Sequence, residues 1–319
     1  MLPYFPNELP LKKLNWESFV HLIGKANYEI ARFEGILQAI INHLVLLYPL
    51  TTQEAALSSK IEGTIATIEE VYQYEAKVLK DISDKKHNDI LEILNYRKAL
   101  DFAVESLNTR PISLNLILDI HSMLLDSVRG MTKARRELRK TQNWLGRPGT
   151  KIENASYIPP SPERLMEAFD NLEKYIHCDE LDTLVQLAIV HAQFEVIHPF
   201  LDGNGRVGRI LIPLFLYEKK LLKSPVFYIS EYLEANREIY YDRLNQISHN
   251  DNWDDWIIFF LTAIIEQSRS NTLKAKAILD LYEKMKGVVS SIVRSQFSIE
   301  GSGRRPDIIH FTELDNIIT

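Results

Sequence analysis

One twelve-residue stretch carries the residue types that chemistry on a phosphate substrate needs: HPFLDGNGRVGR, at positions 198–209. It lies between two apolar runs of helical spacing, so a helix should end just before it and another should begin near Gly205. Gly203 and Gly205 allow backbone N–H groups to converge at that helix start, which makes an anion-binding nest. Arg206 and Arg209 share one face of the first turn, where a cation is unfavourable unless an anion binds. The stretch therefore predicts a polyphosphate site.

Two further side chains in this stretch could perform the chemistry. An imidazole is the commonest group that takes a proton near neutral pH, so His198 is a candidate general base. Asp202 would place one carboxylate beside the substrate phosphates, which is how Mg²⁺ is usually held. The alternative interpretation is an ordinary turn between helices, with Pro199 and Asp202 as turn residues. His191 lies within the apolar pattern, and we expect it to pack in the core.

No other stretch gives a comparable signal for function. The sequence lacks the GxxxxGK[ST], HExxH and CxxC motifs. A GSGRRP run near the C-terminus lacks the strand and helix that a dinucleotide-binding fingerprint requires.

The elements that must position the site are predicted to be mainly helices. Apolar residues recur at spacings of three and four through most of the 319-residue chain. Capping-box patterns at 51–54 (TTQE) and 67–70 (TIEE), together with Ser113 and Ser230, predict helix starts. The stretch 140–162 differs, because Gly, Pro and Asn separate short β-prone pieces. We predict a β-hairpin there, on a helical body.

Composition narrows the class of protein. A hydrophobic content of 45% is enough for a sizeable core, and a formal net charge of −6 gives no basic field for nucleic acid or anionic membranes. A single cysteine, Cys178, excludes an intramolecular disulfide and favours a reducing compartment. The first residues do not form a signal-peptide pattern, and the longest apolar run is too short to cross a bilayer. A cytoplasmic protein is expected.

The stretch 198–209 resembles the signature of Fic-domain proteins, HxFx[DE]GNGRxxR, at every defined position. The resemblance extends to SSKIEGT at 58–64, to WLG and YIPPSP within 144–162, and to the helices through about 271. It implies a helical Fic-type domain with a β-hairpin flap and an N-terminal helical region that carries an inhibitory helix. The implied activity is a protein adenylyltransferase, which moves AMP from ATP to a protein hydroxyl and releases pyrophosphate.

The same resemblance implies roles for individual residues. His198 would deprotonate the target side chain, and Asp202 would hold Mg²⁺. The implied phosphate-binding residues are Gly203, Asn204, Gly205, Arg206 and Arg209. Phosphorylating relatives carry lysine at the position of Gly205, so this glycine favours adenylate transfer.

The implied contacts with the target and the base lie elsewhere in the chain. Tyr157, Ile158 and Pro159 would form the flap on which a target segment aligns by strand addition. Tyr240 and Tyr241 would line the adenine pocket, where an aromatic ring suits a base. The alternatives are a plain surface hairpin and core aromatics at helical spacing.

The segment SSKIEGT raises a question of charge. Glu62 is expected in the last turn of a helix capped by Gly63, where an acid opposes the helix dipole and needs a cationic partner. Ser58 shares its face. The segment resembles the inhibitory motif [ST]xxxE[GN], whose glutamate pairs with the second signature arginine, here Arg209, and blocks the γ-phosphate site. The alternative is a solvated surface glutamate.

These features predict three regions and leave several functions open. The regions are an N-terminal helical region (1–107), a catalytic domain (108–271) and a C-terminal helix with a tail (272–319). The last clear helical pattern ends near Phe297. Removal of AMP, transfer of another nucleotide or phosphoryl group, and an ATP-sensing binding protein remain alternatives. Expected partners are ATP, a target protein or the chain itself, and a second copy in a homodimer, but neither nucleic acid nor membrane.

Overall fold

A computed structural model describes residues 2–40, 48–79, 82–126, 134–146 and 149–300. Helices account for most of them, which confirms the predicted fold class. In chain order the α-helices are Trp16–Leu37 (α1), Tyr48–Ile61 (α2), Ile68–Glu75 (α3), Asp84–Ser106 (α4), Leu114–Leu124 (α5), Leu165–His177 (α6), Thr183–Ile197 (α7), Asn204–Glu218 (α8), Ser230–Ala235 (α9), Arg237–Asn250 (α10) and Trp253–Glu300 (α11).

The centre of the fold is the pair α7 and α8, joined by the loop 198–203. Both helices are buried around almost their whole circumference, as expected of helices that are apolar on every face. Helices α6, α10 and α11 pack against α7, and α2, α4 and α5 pack against α8. The ends of α7 and α8 lie where the sequence predicted, so the loop is held on two rigid helices.

Helix starts follow the predicted caps in two cases out of four. Thr67 and Glu70 form a complete capping box at α3, and the Ser113 side chain accepts from the backbone N–H of Leu116 at α5. The predicted cap at 51–54 is wrong, because α2 already begins at Tyr48. Ser230 is also not a cap: it is the first residue of α9, and its backbone N–H and hydroxyl both donate to the Glu54 carboxylate.

The predicted β-hairpin is reduced to one antiparallel bridge, between Leu145 and Tyr157. A short 3₁₀ helix, Ile152–Asn154, lies between the two bridged residues. Pro159 and Pro160 have no N–H to donate, so the ladder cannot continue past Ile158. Residues 147 and 148 of this segment lie outside the described residues.

Helix α11 continues to Glu300, close to the predicted end near Phe297. Most of the predicted tail, from 301 to 319, lies outside the described residues. Within the described part of the chain, no helix is long and apolar enough to cross a membrane.

Candidate active site

The loop between α7 and α8 turns through two left-handed residues. His198 has φ +48° and ψ +59°, and Gly203 has φ +83° and ψ +3°. A side chain at Gly203 would strain the backbone, whereas His198 adopts this conformation at the C-cap of α7. The turn brings His198 and the first turn of α8 to one cavity of about 930 Å³, which Gly205 and Arg209 also line.

His198 is held in the tautomer that a general base needs. Its Nδ1 lies 3.3 Å from the Glu195 carbonyl oxygen, which can only accept, so Nδ1 carries the proton and Nε2 is the acceptor. Burial lowers the pKa of His198 to about 4, although the bond to Glu195 opposes this shift. The imidazole is therefore neutral at pH 7 and able to take a proton.

The side chain of Asn204 closes the loop. Its Oδ1 accepts from the Phe200 backbone N–H at 2.8 Å, and its Nδ2 donates to the Phe200 carbonyl at 2.9 Å. The side-chain amide is therefore engaged within the loop, and the phosphate-binding role that the resemblance implied for Asn204 stays a prediction.

Arg206 is a buried cation whose hydrogen bonds are incomplete. Its Nη2 lies 3.2 Å from Asp202 Oδ1, and its Nη1 lies 3.8 Å from Glu92 Oε2. Within the described part of the chain, the Nε and Nη1 atoms are buried without a hydrogen-bond partner. Since an unsatisfied buried guanidinium is costly, the arrangement fits an additional anion beside Arg206.

Arg209 makes the contact that the inhibitory motif implied. Its Nη2 lies 2.7 Å from Glu62 Oε1, and its Nε and Nη2 donate to the Ser58 hydroxyl and carbonyl at 2.7 and 3.0 Å. Burial raises the pKa of Glu62, but the charge and hydrogen bond of Arg209 outweigh burial, so the pKa lies below its usual range. Glu62 is thus an anion bound to a fully buried arginine.

Glu62 also lies on the start of α8. A Cβ atom added at Gly205 would be 2.3 Å from Glu62 Oε1, so the carboxylate rests against the glycine backbone. The acid therefore occupies the predicted anion nest. It follows α2, which ends at Ile61, rather than lying in its last turn, and Gly63 turns the chain with φ +98°.

The aromatic end of the cavity contains Tyr240 and Tyr241. His191 is buried as predicted; its Nδ1 donates to the Gly208 carbonyl at 3.2 Å, so its Nε2 accepts from the Tyr240 hydroxyl at 3.0 Å. Tyr240 is 1% exposed and fixed by this bond, whereas Tyr241 is 39% exposed. Tyr241 consequently has more ring surface available to a ligand.

The flap residues chosen from the sequence pack against neighbouring segments of the chain. Tyr157, Ile158 and Pro159 are all buried. The Tyr157 backbone pairs with Leu145, and the Ile158 carbonyl accepts from the Tyr4 backbone N–H at 2.9 Å. The role of these three residues in binding a target stays a prediction. The exposed residues of the segment include 144–146, 153–154 and 156.

Two residues that support the loop gave no signal in the sequence. The Arg139 guanidinium is buried and donates to the carbonyls of His198, Thr141 and Pro160, which joins the flap to the loop. His121 Nε2 donates to the Asp202 carbonyl at 3.1 Å. Arg139 lies in a run of charges typical of a solvated surface, and His121 lies on an apolar helical face.

Comparison with known proteins places the chain in a family. The model of the Fic/DOC family N-terminal region matches residues 20–105, and the model of the Fic/DOC family matches 111–216. The two matches together cover more than half of the chain. The chain belongs to the Fic/DOC family.

Two relatives of this Fic/DOC chain illustrate how much of it is shared. Protein adenylyltransferase fic-1 of Caenorhabditis elegans is 28% identical over 142 residues, which cover 44% of this chain and 26% of the relative. A probable protein adenylyltransferase of Aquifex aeolicus is 38% identical over 88 residues, which cover 27% and 28%. The chain thus spans about a quarter of the length of these relatives.

Solved structures share the fold of this Fic/DOC chain. A Fic family protein from Desulfovibrio desulfuricans aligns with a TM-score of 0.68 at 22% identity, covering 84% of this chain and 76% of that one. A Fic domain containing signaling protein from Bacteroides thetaiotaomicron aligns with a TM-score of 0.61 at 17% identity, covering 80% and 97%.

Proposed function

We propose that this Fic/DOC chain is a Mg²⁺-dependent protein adenylyltransferase that is inhibited by its own Glu62. The observation that carries the proposal is that one cavity holds both a neutral imidazole, with Nε2 as acceptor, and an anion nest at the start of α8. The names of the relatives support the same activity.

In the proposed reaction, His198 Nε2 takes the proton of a target hydroxyl. The hydroxyl oxygen attacks the α-phosphorus of ATP, and the bond from that phosphorus to the bridging oxygen breaks as pyrophosphate leaves. Backbone N–H groups around Gly205 bind the charge that develops on the α-phosphate. Arg206 and Arg209 bind the β- and γ-phosphates.

The residues present fit Mg²⁺ if the ion is shared with the substrate. No cluster of three or more His, Cys, Asp or Glu side chains suited to a metal occurs among the described residues. Asp202 would hold the ion, with a side chain that is 42% exposed beside Arg206. A single carboxylate plus phosphate oxygens is the usual arrangement for Mg²⁺, which would neutralise charge on the triphosphate.

Inhibition by Glu62 follows from simple exclusion in this proposal. The Glu62 carboxylate is hydrogen-bonded to Arg209 and lies against Gly205. A triphosphate would need the same arginine and the same backbone N–H groups, so it cannot bind there while Glu62 is in place. Glu54 supports the arrangement, because its carboxylate accepts bonds from Ser230 and Tyr96 and so ties α2 to α9 and α4. Release of the site would require α2 or its end to move.

The proposal extends to the target and the setting. Tyr157, Ile158 and Pro159 are retained as the flap residues on which a target segment would align. The target hydroxyl belongs to another protein or to this chain, and the setting is the cytoplasm. The proposed domain organisation has three regions, 1–107, 108–271 and 272–319. We also propose a homodimer, which gel filtration would test.

Intact-mass spectrometry after incubation with Mg²⁺ and ATP tests this function. We expect one adenylate to be added chiefly to Glu62→Gly and to be absent from Glu62→Gly with His198→Ala. Glu69→Ala, a change of an exposed acid beyond the site, is the control and should behave as the wild type. A phosphate-sized addition would reassign the reaction, and ATP binding without transfer to any offered protein would favour a sensor.

A further inference from the structure

Glu195, near the end of α7, is a polar side chain in the cavity for which the reaction above has no use. It lines the cavity together with Val196 and His198. Its Oε1 is buried and has no hydrogen-bond partner among the residues that the structure describes. A Cβ atom at Gly208 would be 2.3 Å from that oxygen, so the carboxyl packs directly on the backbone of α8. A buried polar atom without a partner costs free energy, and in a cavity this points to a ligand.

The contacts of Glu195 exclude two simpler roles. The group that bonds to His198 Nδ1 is the Glu195 backbone carbonyl, so the carboxyl does not orient the base. The guanidinium of Arg209 is bonded to Ser58 and Glu62, so its charge is already compensated. The carboxyl therefore serves neither a catalytic dyad nor the Arg209 ion pair in this state.

Glu195 shares one cavity with the residues assigned to the phosphates and to the base. Arg209, Gly205, Tyr241 and Asn245 all line it. Arg209 lowers the pKa of Glu195, although burial raises it more. After burial, Glu195 is the largest cause that raises the pKa of Tyr240. The carboxyl is therefore near both Arg209 and Tyr240.

We propose that Glu195 binds the ribose hydroxyls of the nucleotide and makes the site selective for ribonucleotides over deoxyribonucleotides. The proposal rests on the proposed function, because a nucleotide bound with its phosphates at Arg209 and its base at Tyr241 has its sugar between them. A carboxyl matches a vicinal diol, since two oxygens can meet two hydroxyls, and acidic residues bind ribose hydroxyls in other nucleotide sites.

The charge state of Glu195 is compatible with a triphosphate nearby. Burial, aided by the Glu62 charge and opposed by Arg209, raises the pKa of Glu195 to about 8. The carboxyl is therefore mostly protonated at pH 7 and does not repel phosphates. In this form it donates one hydrogen bond and accepts another, so it still pairs with two hydroxyls.

Equilibrium binding of ATP, 2′-deoxy-ATP and 3′-deoxy-ATP to Glu62→Gly tests the proposal, because this variant leaves the phosphate site open. We expect ATP to bind at least about tenfold more tightly than one or both deoxy analogues, since a missing hydroxyl leaves a buried carboxyl unpaired. Adding Glu195→Leu should remove this preference, and adding Glu195→Gln should keep part of it. Adding Glu153→Gln, a change of an exposed acid, should leave the preference intact.

The outcomes separate this proposal from the proposed function. Equal affinity for the three nucleotides in Glu62→Gly, or an unchanged preference in a folded Glu195→Leu variant, would overturn the role of Glu195 alone. Sugar-selective binding without adenylate transfer would overturn only the adenylyltransferase. No binding of any of the three nucleotides would overturn both. Thermal melting of each variant shows whether it is folded.

Discussion

At the scale of single residues, Gly205 has two functions in one position. It allows backbone N–H groups to face an anion, and it leaves room for the Glu62 carboxylate, whose Oε1 would be 2.3 Å from an added Cβ. Gly205→Ala should therefore lower the free energy of unfolding by about 1–3 kcal/mol through overpacking. Urea denaturation measures this change.

The same substitution in Glu62→Gly provides the control. With the carboxylate removed, Gly205→Ala should cost much less, because its main obstruction is gone and alanine favours a helix. The two changes should thus be strongly non-additive. An equal cost in both backgrounds would show that Glu62 does not rest on Gly205 in solution.

The site residues differ in how far the sequence could predict them. Glycine and arginine spacing at 203–209 indicated an anion site, because nests and helix starts are local features. The partner of Glu62 is 147 residues away in the sequence. The helix position of Glu62 predicted only that it needs a cationic partner, and the family resemblance identified that partner as Arg209. Arg139 and Glu195 act through burial and tertiary contacts, which a single sequence does not display.

At the scale of elements, the flap is joined to the loop by Arg139 rather than by a sheet. This side chain reaches His198 and Pro160 carbonyls, and its backbone N–H donates to Pro199 at 2.9 Å. Arg139→Met in the Glu62→Gly background should lower the transfer rate at least about tenfold, because His198 loses its fixed position. Nucleotide binding should change little, since Arg139 does not line the phosphate nest.

Kinetics with radiolabelled ATP, compared with equilibrium binding, would separate these effects. Lys140→Met is the matched control, because Lys140 is an exposed neighbour that pairs with Glu137 at the surface. If Arg139→Met transferred adenylate at the rate of the control, the link between flap and loop would have no role in the reaction.

Element prediction succeeded where the cause was local and failed where it was not. The capping box at Thr67 needs only four consecutive residues, and it formed. The pattern at 51–54 has the same first and fourth residue types, but α2 begins earlier, and Thr51 instead bonds to the Tyr228 hydroxyl. The hairpin prediction counted β-prone pieces and gave too little weight to the prolines that follow Ile158.

At the scale of the whole molecule, buried histidines should make the fold sensitive to acid. Burial lowers the pKa of His121 and His198 to about 4 and that of His191 to about 3. Below about pH 6.5 these three histidines bind protons in the unfolded chain, whereas in the folded protein they stay neutral. The free energy of unfolding therefore decreases as the pH falls toward 4. Glu195 has the opposite effect on stability, because its pKa is raised to about 8. At pH values between its unfolded pKa and 8, the folded protein keeps a proton on Glu195 that the unfolded chain has lost, so this contribution to stability increases as the pH falls.

We expect the free energy of unfolding to fall as the pH decreases from about 6 to 4.5. Each of the three histidines contributes at most about 1.4 kcal/mol per pH unit, and the carboxyls with a raised pKa, Glu54, Asp101 and Glu195, oppose this in part. Urea denaturation at several pH values in this range measures the slope. A stability that stayed constant or rose on acidification would contradict the buried, neutral state of these side chains.

The contact between Glu62 and Arg209 also has a consequence for populations. If closed molecules outnumber open ones by about a hundred to one, the apparent affinity for ATP is about a hundredfold weaker than that of the open form. Each 1.4 kcal/mol of bias changes the open fraction about tenfold, which is roughly the contribution of one hydrogen bond. One added contact on α2 would therefore be enough to change the open fraction, and with it the apparent affinity for ATP, about tenfold.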